Sequence, residues 1–216
     1  MIKNIYIFSK TLIFPMLTEE SVKIFHNFRD KYVEARVIPI SSIHLQEIET
    51  IWKPQLQKEK WWDKNFNINK YLNLPETYEV YVLECDSVAQ GIIVLQINKC
   101  PCRLELGKNL VYLNLLNVAP WNRVSLQGTR NYKGVGTVLL TFAILRSINL
   151  GFQGRIALNS LKSSESFYQK LPFVHVGSDL FFCGNNVNPL ILKYLEMPES
   201  EVELILLNSY LTWYLN

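Results

Sequence analysis

Residues 137–152 read TVLLTFAILRSINLGF, a helical stretch whose apolar side chains return on nearly every side. A helix with no face to give to water must be buried, and Gly151 stands where a C-terminal glycine cap belongs. The fold therefore has to enclose this element. At 216 residues, with 49% hydrophobic and 12% aromatic content, the chain is long enough to build such a core within one domain.

The segments around the helix supply the enclosure. TYEVYVLECD (77–86), VAQGIIVLQINK (88–99) and LVYLNLLNVA (110–119) are rich in β-branched and aromatic residues and read as an antiparallel meander. GRIALNSL (154–161) is a further strand, SSESFYQKLPF a short helix from a serine cap to Pro172, and VHVGSDLFFC with NPLILKYLEM a closing strand pair. ARVIPI (35–40) adds a short strand upstream. TEESVKIFHNFRDKY (18–32) reads as an amphipathic helix capped by Thr18, with Val22, Phe25 and Phe28 on one stripe. SSIHLQEIETIWKPQL reads as a capped helix with Ile48, Ile51 and Trp52 inward, bent or ended by Pro54. The helical stretch after it carries Trp61, Trp62, Phe66 and Tyr71, either as a folded-back aromatic cluster or as the lining of a substrate groove. This order is that of an α/β (α+β) layer architecture with a mixed, mostly antiparallel sheet. We divide it as an extension over 1–34, a main domain over 35–197 and a C-terminal helix over 198–216. In that helix Val202, Ile205, Leu206, Tyr210, Trp213 and Tyr214 cover more than one face, which calls for burial in the domain core or in a homodimer contact.

Charge and composition exclude several functions. The net charge of +3 arises from 22 basic and 19 acidic residues spread along the chain, not gathered into the patch a nucleic-acid binder needs. The opening MIKNIYIFSKTLIFPML is split by Lys10 and followed by no small-residue cleavage site, and no other run has the length of a membrane span. A soluble, cytoplasmic protein is the expectation. Of the four cysteines, Cys100 and Cys102 form a CPC with no histidine nearby, so no metal site is expected and we read reduced thiols at a hairpin tip. No cysteine lies in a nucleophile signature.

The chemistry concentrates at one junction. In LVYLNLLNVAP strict alternation would put Asn114 and Asn117 on opposite faces; one extra residue between them, a β-bulge, would put both on the same face. A bulge splays a strand from its neighbour and leaves backbone groups free for a ligand. NYKGVGT then runs straight into the buried helix, so Lys133, Gly134, Val135, Gly136 and Thr137 offer a row of unpaired N–H groups at a helix N-terminus. That arrangement cradles an anion, aided by the helix dipole. Leu139 occupies the place of the third glycine of a dinucleotide fingerprint, and no Gly-Lys-Ser/Thr is present, so neither a dinucleotide fold nor a P-loop is indicated.

The succession VYLNLLNVAPWNR, NYKGVGTVLLTFAI, GRIALNSL and SSESFYQKLPF resembles the GNAT superfamily of N-acetyltransferases over residues 35–197. NYKGVG fills the family's Arg/Gln-x-x-Gly-x-Gly/Ala place, and FYQKLPF the place of its Tyr-bearing helix. APWN after the fourth strand resembles a less common subgroup with a longer loop. The resemblance implies a sheet splayed into a V at a bulged fourth strand, with the pantetheine of acetyl-CoA or a longer acyl-CoA paired along that strand. It implies pyrophosphate on the amides of Lys133 through Thr137, thioester-side backbone at Leu116, Asn117 and Val118, and Tyr168 as general acid. Asn131 stands where the family has Arg or Gln, with Arg130 adjacent to supply the charge, and Pro172 replaces a glycine. No metal is implied.

The implied reaction is transfer of an acyl group to a primary amine of a small molecule or peptide. An alkyl ammonium with a pKa near ~10.4 is almost wholly protonated at pH 7, so a base or a water chain is required. Family members often carry a Glu on the fourth strand for this; here Asn114 and Asn117 stand there, which points to water held by amides. A strand N–H near Val118 would stabilise the oxyanion. Asn159 either orients the acceptor or packs the sheet, and His175 reads as a strand histidine. Two other functions fit the same residues: a fatty-acyltransferase acting on peptide side chains, and an acyl-CoA-binding module without catalysis.

Overall fold

The computed structural model describes residues 21–59, 63, 66–98, 100–123, 128–181 and 190–214, together with the two-residue strands Ile7–Phe8 (β1) and Thr11–Leu12 (β2). The expected helix over 18–32 is instead a hairpin of Ser21–His26 (β3) and Lys31–Pro39 (β4). Val22 and Ile24 alternate into the core, whereas Phe28, part of the expected helical stripe, lies 69% exposed at the turn where Asp30 takes a positive φ. The period is two, and the apparent three-residue spacing was carried by a turn residue. ARVIPI is the second half of β4, so the boundary set at residue 34 falls inside a strand and the hairpin belongs to the main sheet. Thr18 lies outside the described residues.

The sheet has nine strands in the order β10-β11-β9-β7-β6-β5-β4-β3-β8. Tyr78–Cys85 (β5), Val88–Gln96 (β6) and Val111–Val118 (β7) form the expected meander. Tyr132–Lys133 (β8) is a short strand that pairs with β3, so the chain returns to the far edge just before the glycine loop. Ile156–Ser160 (β9) lies parallel to β7, and all other neighbours are antiparallel. Val174–Phe181 (β10) and Leu190–Met197 (β11) close the other edge.

One face of the sheet holds the buried helix. Val135–Asn149 packs there through Val135, Val138, Leu139, Leu140, Phe142, Ala143 and Ile144, and Gly151 beyond it has the positive φ of a glycine cap. Numbering helices along the chain, this is α4. A Cβ at Gly91 of β6 would stand 2.6 Å from Val135 Cγ1 and 2.8 Å from Leu139 Cδ1, so a missing side chain lets the start of α4 lie directly on the sheet. The terminal helix, Glu199–Tyr214 (α6), covers α4 with Val202, Ile205 and Leu206, and Ser209 Oγ bonds Thr141 Oγ1 at 2.9 Å. Its described face therefore joins the domain core.

The opposite face is roofed by Ser42–Glu47 (α1), a π-helical turn Ile48–Trp52, Lys53–Lys58 (α2) and Asn69–Leu72 (α3). Pro54 neither ends nor starts the run, which stays helical from Ser42 to Lys58; it stands directly after the π turn, where Lys53 N–H reaches back to Ile48 O. The π turn rotates the helix face: Ile48 and Trp52 are buried, but Ile51, expected inward, is 44% exposed. Phe66 and Tyr71 pack against this second core as a folded-back cluster; Trp61 and Trp62 lie outside the described residues. Cys100 and Cys102 are free thiols in the hairpin that connects β6 and β7, where Cys102 N donates to Lys108 O and Leu110 N to Cys100 O, and both are buried against Ala157 and Tyr194. Between β9 and β10, Glu165–Tyr168 (α5) follows a 3-10 turn, and Ser164 makes no side-chain cap, contrary to the expected serine cap. Among the described residues no helix is long and apolar enough to cross a membrane.

Candidate functional site

The register of β7 breaks at Asn114. Leu113 faces Leu95 and Leu115 faces Val94, which leaves Asn114 as the extra residue of a bulge. Its Nδ2 donates to Gln96 Oε1 at 3.3 Å, and Gln96 lies on the sheet face opposite α4. Asn117 pairs with Ile92, a member of the core on that same face, so the bulge does bring both asparagines to one side.

The break also opens the sheet. β7 and β9 pair only from Val111↔Ile156 to Leu113↔Leu158, so beyond the bulge the two strands part. The N–H of Ala119 donates to Gln90 O on the β6 side at 2.9 Å; counting back by alternation, Asn117 pairs toward β6 while Leu116 and Val118 turn their backbone toward the open edge. Arg123 Nε donates to Val118 O at 3.0 Å, which leaves Val118 N–H and both groups of Leu116 with no strand opposite them.

The end of β7 is tightly held. Gln90 Oε1 accepts from Trp121 Nε1 at 2.8 Å and from Asn122 Nδ2 at 3.1 Å, and Asn122 Oδ1 accepts from Tyr132 N at 3.0 Å. Arg123 forms a bidentate pair with Asp63 at 3.0 and 2.8 Å, with side chains 9% and 1% exposed. The APWNR run therefore ties β7, β6 and β8 together. Gln90 and Asp63, the partners that make it work, carry no local signal in the sequence; Gln90 sits in a largely apolar strand and Asp63 at a turn in a charged stretch of sequence.

Next to this edge stands the start of α4. Gly134 takes φ +89 as its N-cap and offers no side chain, and the first intrahelical acceptor is Gly134 O, bonded by Val138 N. The N–H groups of Val135, Gly136 and Thr137 thus have no partner within the helix, and the dipole adds about half a positive charge there, whereas Lys133, expected in the same row, belongs to β8 and is paired with Phe25. Lys133 Nζ lies 5.2 Å from the Phe25 ring, Arg130 is exposed with its carbonyl bonded by Asn27 Nδ2, and Asn131 bridges Trp121 O and Asn27 N through its backbone. A Cβ on Gly136 would meet Phe167 Cζ at 3.5 Å and Leu116 Cδ2 at 3.8 Å. The glycine loop, β7 and α5 therefore converge at Gly136.

Phe167, not Tyr168, is the α5 residue that touches this point. Tyr168 stands one ring behind, its centroid 5.0 Å from that of Phe167 and 5.7 Å from that of Phe173. It is 8% exposed, and burial pushes its phenol up to about 12. It lines a pocket of about 180 Å³ with Glu165, Gln169, Phe173, His175, Lys193 and Leu195, with Lys193 Nζ bonded to Glu165 at 2.7 Å. Asn159 lies on β9 just past the last β7 pair; its Nδ2 donates to Asp179 Oδ2 at 3.2 Å, and Asp179 is held by Arg103 at 3.0 and 2.9 Å. These bonds hold the Asp179 carboxyl below the usual carboxylate range, the Arg103 bond most strongly. Arg103 Cζ also lies 3.5 Å from the Tyr194 ring centroid. Among the described residues no group of three His, Cys, Asp or Glu side chains could hold a metal.

No family model matches the sequence, and no curated protein matches it. The structure is similar to an N-acyl amino acid synthase from uncultured soil microbes at TM-score 0.52 and 14% identity, covering 77% of this chain and 92% of that one. It is similar to an N-acetyltransferase from Staphylococcus aureus Mu50 at TM-score 0.51 and 17% identity, covering 77% and 99%. An acetyl transferase from Salmonella typhimurium, described as modifying the N-terminal serine of ribosomal protein L7/L12, aligns at TM-score 0.52 and 12% identity over 76% and 94%. The chain has the fold of the GNAT N-acetyltransferases.

Proposed function

We propose that this chain, folded as an N-acetyltransferase, is an acyl-CoA-dependent N-acyltransferase that moves an acetyl or longer acyl group to a primary amine. One observation carries the reading: an unpaired strand edge at Leu116–Val118 lies beside a helix N-terminus with three free N–H groups, and Gly136 marks where the two meet. An extended amide-bearing arm would pair with the edge, and a pyrophosphate attached to it would take the N–H groups. The two sites are contiguous, which suits a ligand that is both a thioester arm and a diphosphate. The amine acceptor, a small molecule or a peptide, would approach from the face that carries Asn114, Asn117 and Asn159.

In this reading the amine attacks the thioester carbonyl carbon, and Val118 N–H donates to the oxyanion. Donors of this kind are worth a few kcal/mol when preorganised. The C–S bond then breaks and the thiolate takes a proton, which we assign to Tyr168. A phenol held near 12 gives its proton to an ordinary thiolate, near ~8.5, only uphill by several kcal/mol. The transfer needs the thiolate to be desolvated too, since burial raises a thiol in the same direction. The free thiols Cys85, Cys100 and Cys102 fit a reducing, cytoplasmic setting.

Gly136→Glu tests the reading. It would fill the meeting point and put a negative charge on the N–H cradle, so CoA affinity by calorimetry should fall at least about a hundredfold, or ~2.7 kcal/mol, while circular dichroism stays unchanged. A folded variant that binds CoA like the wild type would remove the assignment.

A further inference from the structure

Four buried side-chain atoms among the described residues have no hydrogen-bond partner: Glu47 Oε1, Trp52 Nε1, Asn117 Nδ2 and Asn159 Oδ1. Three of them lie under one roof. Glu47 precedes the π turn Ile48–Trp52 and Trp52 ends it. In an α-helix positions five apart stand about 140° apart around the axis; the wider turn closes that angle and brings both toward the sheet. Glu47 Oε2 accepts from Ala89 N of β6 at 3.2 Å, and Trp52, fully buried, packs in the core that contains Ala89, Ile92 and Ala119. Asn117, 4% exposed, lies on β7 between Leu115 and Ala119, both of which pack in that same core.

The three atoms are complementary: two N–H donors and one carboxylate oxygen. Each would cost about 1–3 kcal/mol if left unsatisfied, and one group that accepts twice and donates once would satisfy all three. A buried water, which typically makes about three hydrogen bonds, is such a group. The same set supplies what β7 lacks, since Asn114 and Asn117 occupy the strand where a carboxylate base would stand.

We propose that Glu47 is the base for the acceptor amine, acting through water held by Trp52 Nε1 and Asn117 Nδ2; this rests on the acyltransferase reading above. The alkylammonium first gives a proton to the water as a water proton passes to Glu47 Oε1, and the neutral amine so released forms its bond to the acyl carbon; its second proton leaves to solvent as the amide forms. The C–S electron pair leaves with sulfur, which is protonated separately, and Glu47 returns its proton to solvent after the amide departs. The π turn is what aims the carboxylate, so the base comes from the roof and not from the strand.

The experiment is steady-state acyl transfer from acetyl-CoA, followed by thiol release, with a panel of primary alkylamines and with hydroxylamine, a nucleophile already neutral at pH 7. Glu47→Gln keeps the acceptor for Ala89 N but cannot take a proton. It should lower kcat with the best alkylamine about a hundredfold or more, lower it less than about fivefold with hydroxylamine, which needs no such help, and leave acetyl-CoA affinity by calorimetry unchanged. Trp52→Phe, which removes the donor together with one ring of the indole but keeps a ring against Trp121, should show the same split at about tenfold. Equal losses with both nucleophiles would assign Glu47 a packing role and overturn the proposal, as would wild-type kcat in Glu47→Gln. Failure of the wild type to release thiol with any amine would remove the acyltransferase reading and the base with it.

Discussion

The two arms of the open V are fastened by different physics. The inner arm ends in a buried lock: Gln90, Trp121 and Asn122 exchange amide and indole hydrogen bonds, and the Arg123–Asp63 pair is almost wholly sealed from water. The outer arm is held by ion pairs at the surface, Arg103–Asp179 with side chains 44% and 31% exposed and Lys193–Glu165 with 44% and 24%. Buried charge pairs are destructive when broken, whereas exposed ones contribute little and are screened by salt. The difference teaches that the edge offered by β7 is firmly anchored while the opposing arm is held only by screened surface pairs.

The largest expected effect lies on the inner arm. Arg123→Ala should leave Asp63 buried without its partner and cost about 3–5 kcal/mol in denaturant unfolding, with little relief from 1 M salt because the site is sealed. A loss below about 1 kcal/mol would place the inner arm in the same class as the outer and end the contrast.

Tyr168→Phe tests the proton donor proposed for the leaving thiolate, one ring behind the Gly136 meeting point. It keeps ring contacts with Phe167 and Phe173 and removes the phenol proton, so kcat should fall roughly ten- to a thousandfold with stability and CoA affinity retained. Full kcat with chemistry shown to limit the rate would return Tyr168 to a packing role and assign the thiolate's proton to solvent.

Arg103→Ala should be the mildest. The exposed pair is worth less than about 1 kcal/mol after screening, and its effect should fade in 1 M salt, where the Debye length is about 3 Å. Asp179 is held below its ordinary range by this arginine, so the pair stabilises the fold above the ordinary Asp pKa and that contribution is lost as the pH falls through the depressed value. The difference between wild type and variant should therefore shrink in acid. A difference that survives both salt and acid would mean that Arg103 works through its stacking on Tyr194 and not through charge.

Much of this site was legible in the sequence because its signals are local. The asparagine spacing at 114 and 117 called for a bulge, and the bulge lies at Asn114; the run from Lys133 to Thr137 announced a helix start, and α4 begins at Val135. The N-terminal hairpin was not legible, since Val22, Phe25 and Phe28 fit a helical stripe as well as Val22 and Ile24 fit a strand, and only the strand across from them decides. The π turn leaves no mark in composition, so Ile51 was counted inward. Gln90 and Asp63 were missed for a third reason: their roles exist only once distant segments meet.

The short pairing of β8 with β3 has a consequence for how the chain acquires its shape. His26 faces Tyr132 and Phe25 faces Lys133, contacts that close a loop of more than one hundred residues. Loop closure of that span is among the slower events available to a small domain. The strand that leads into the glycine loop is thus clasped by a strand that precedes the whole meander, and seating it means closing the chain around that meander. Any ligand that grips that loop would therefore act as a clasp on the whole wound sheet.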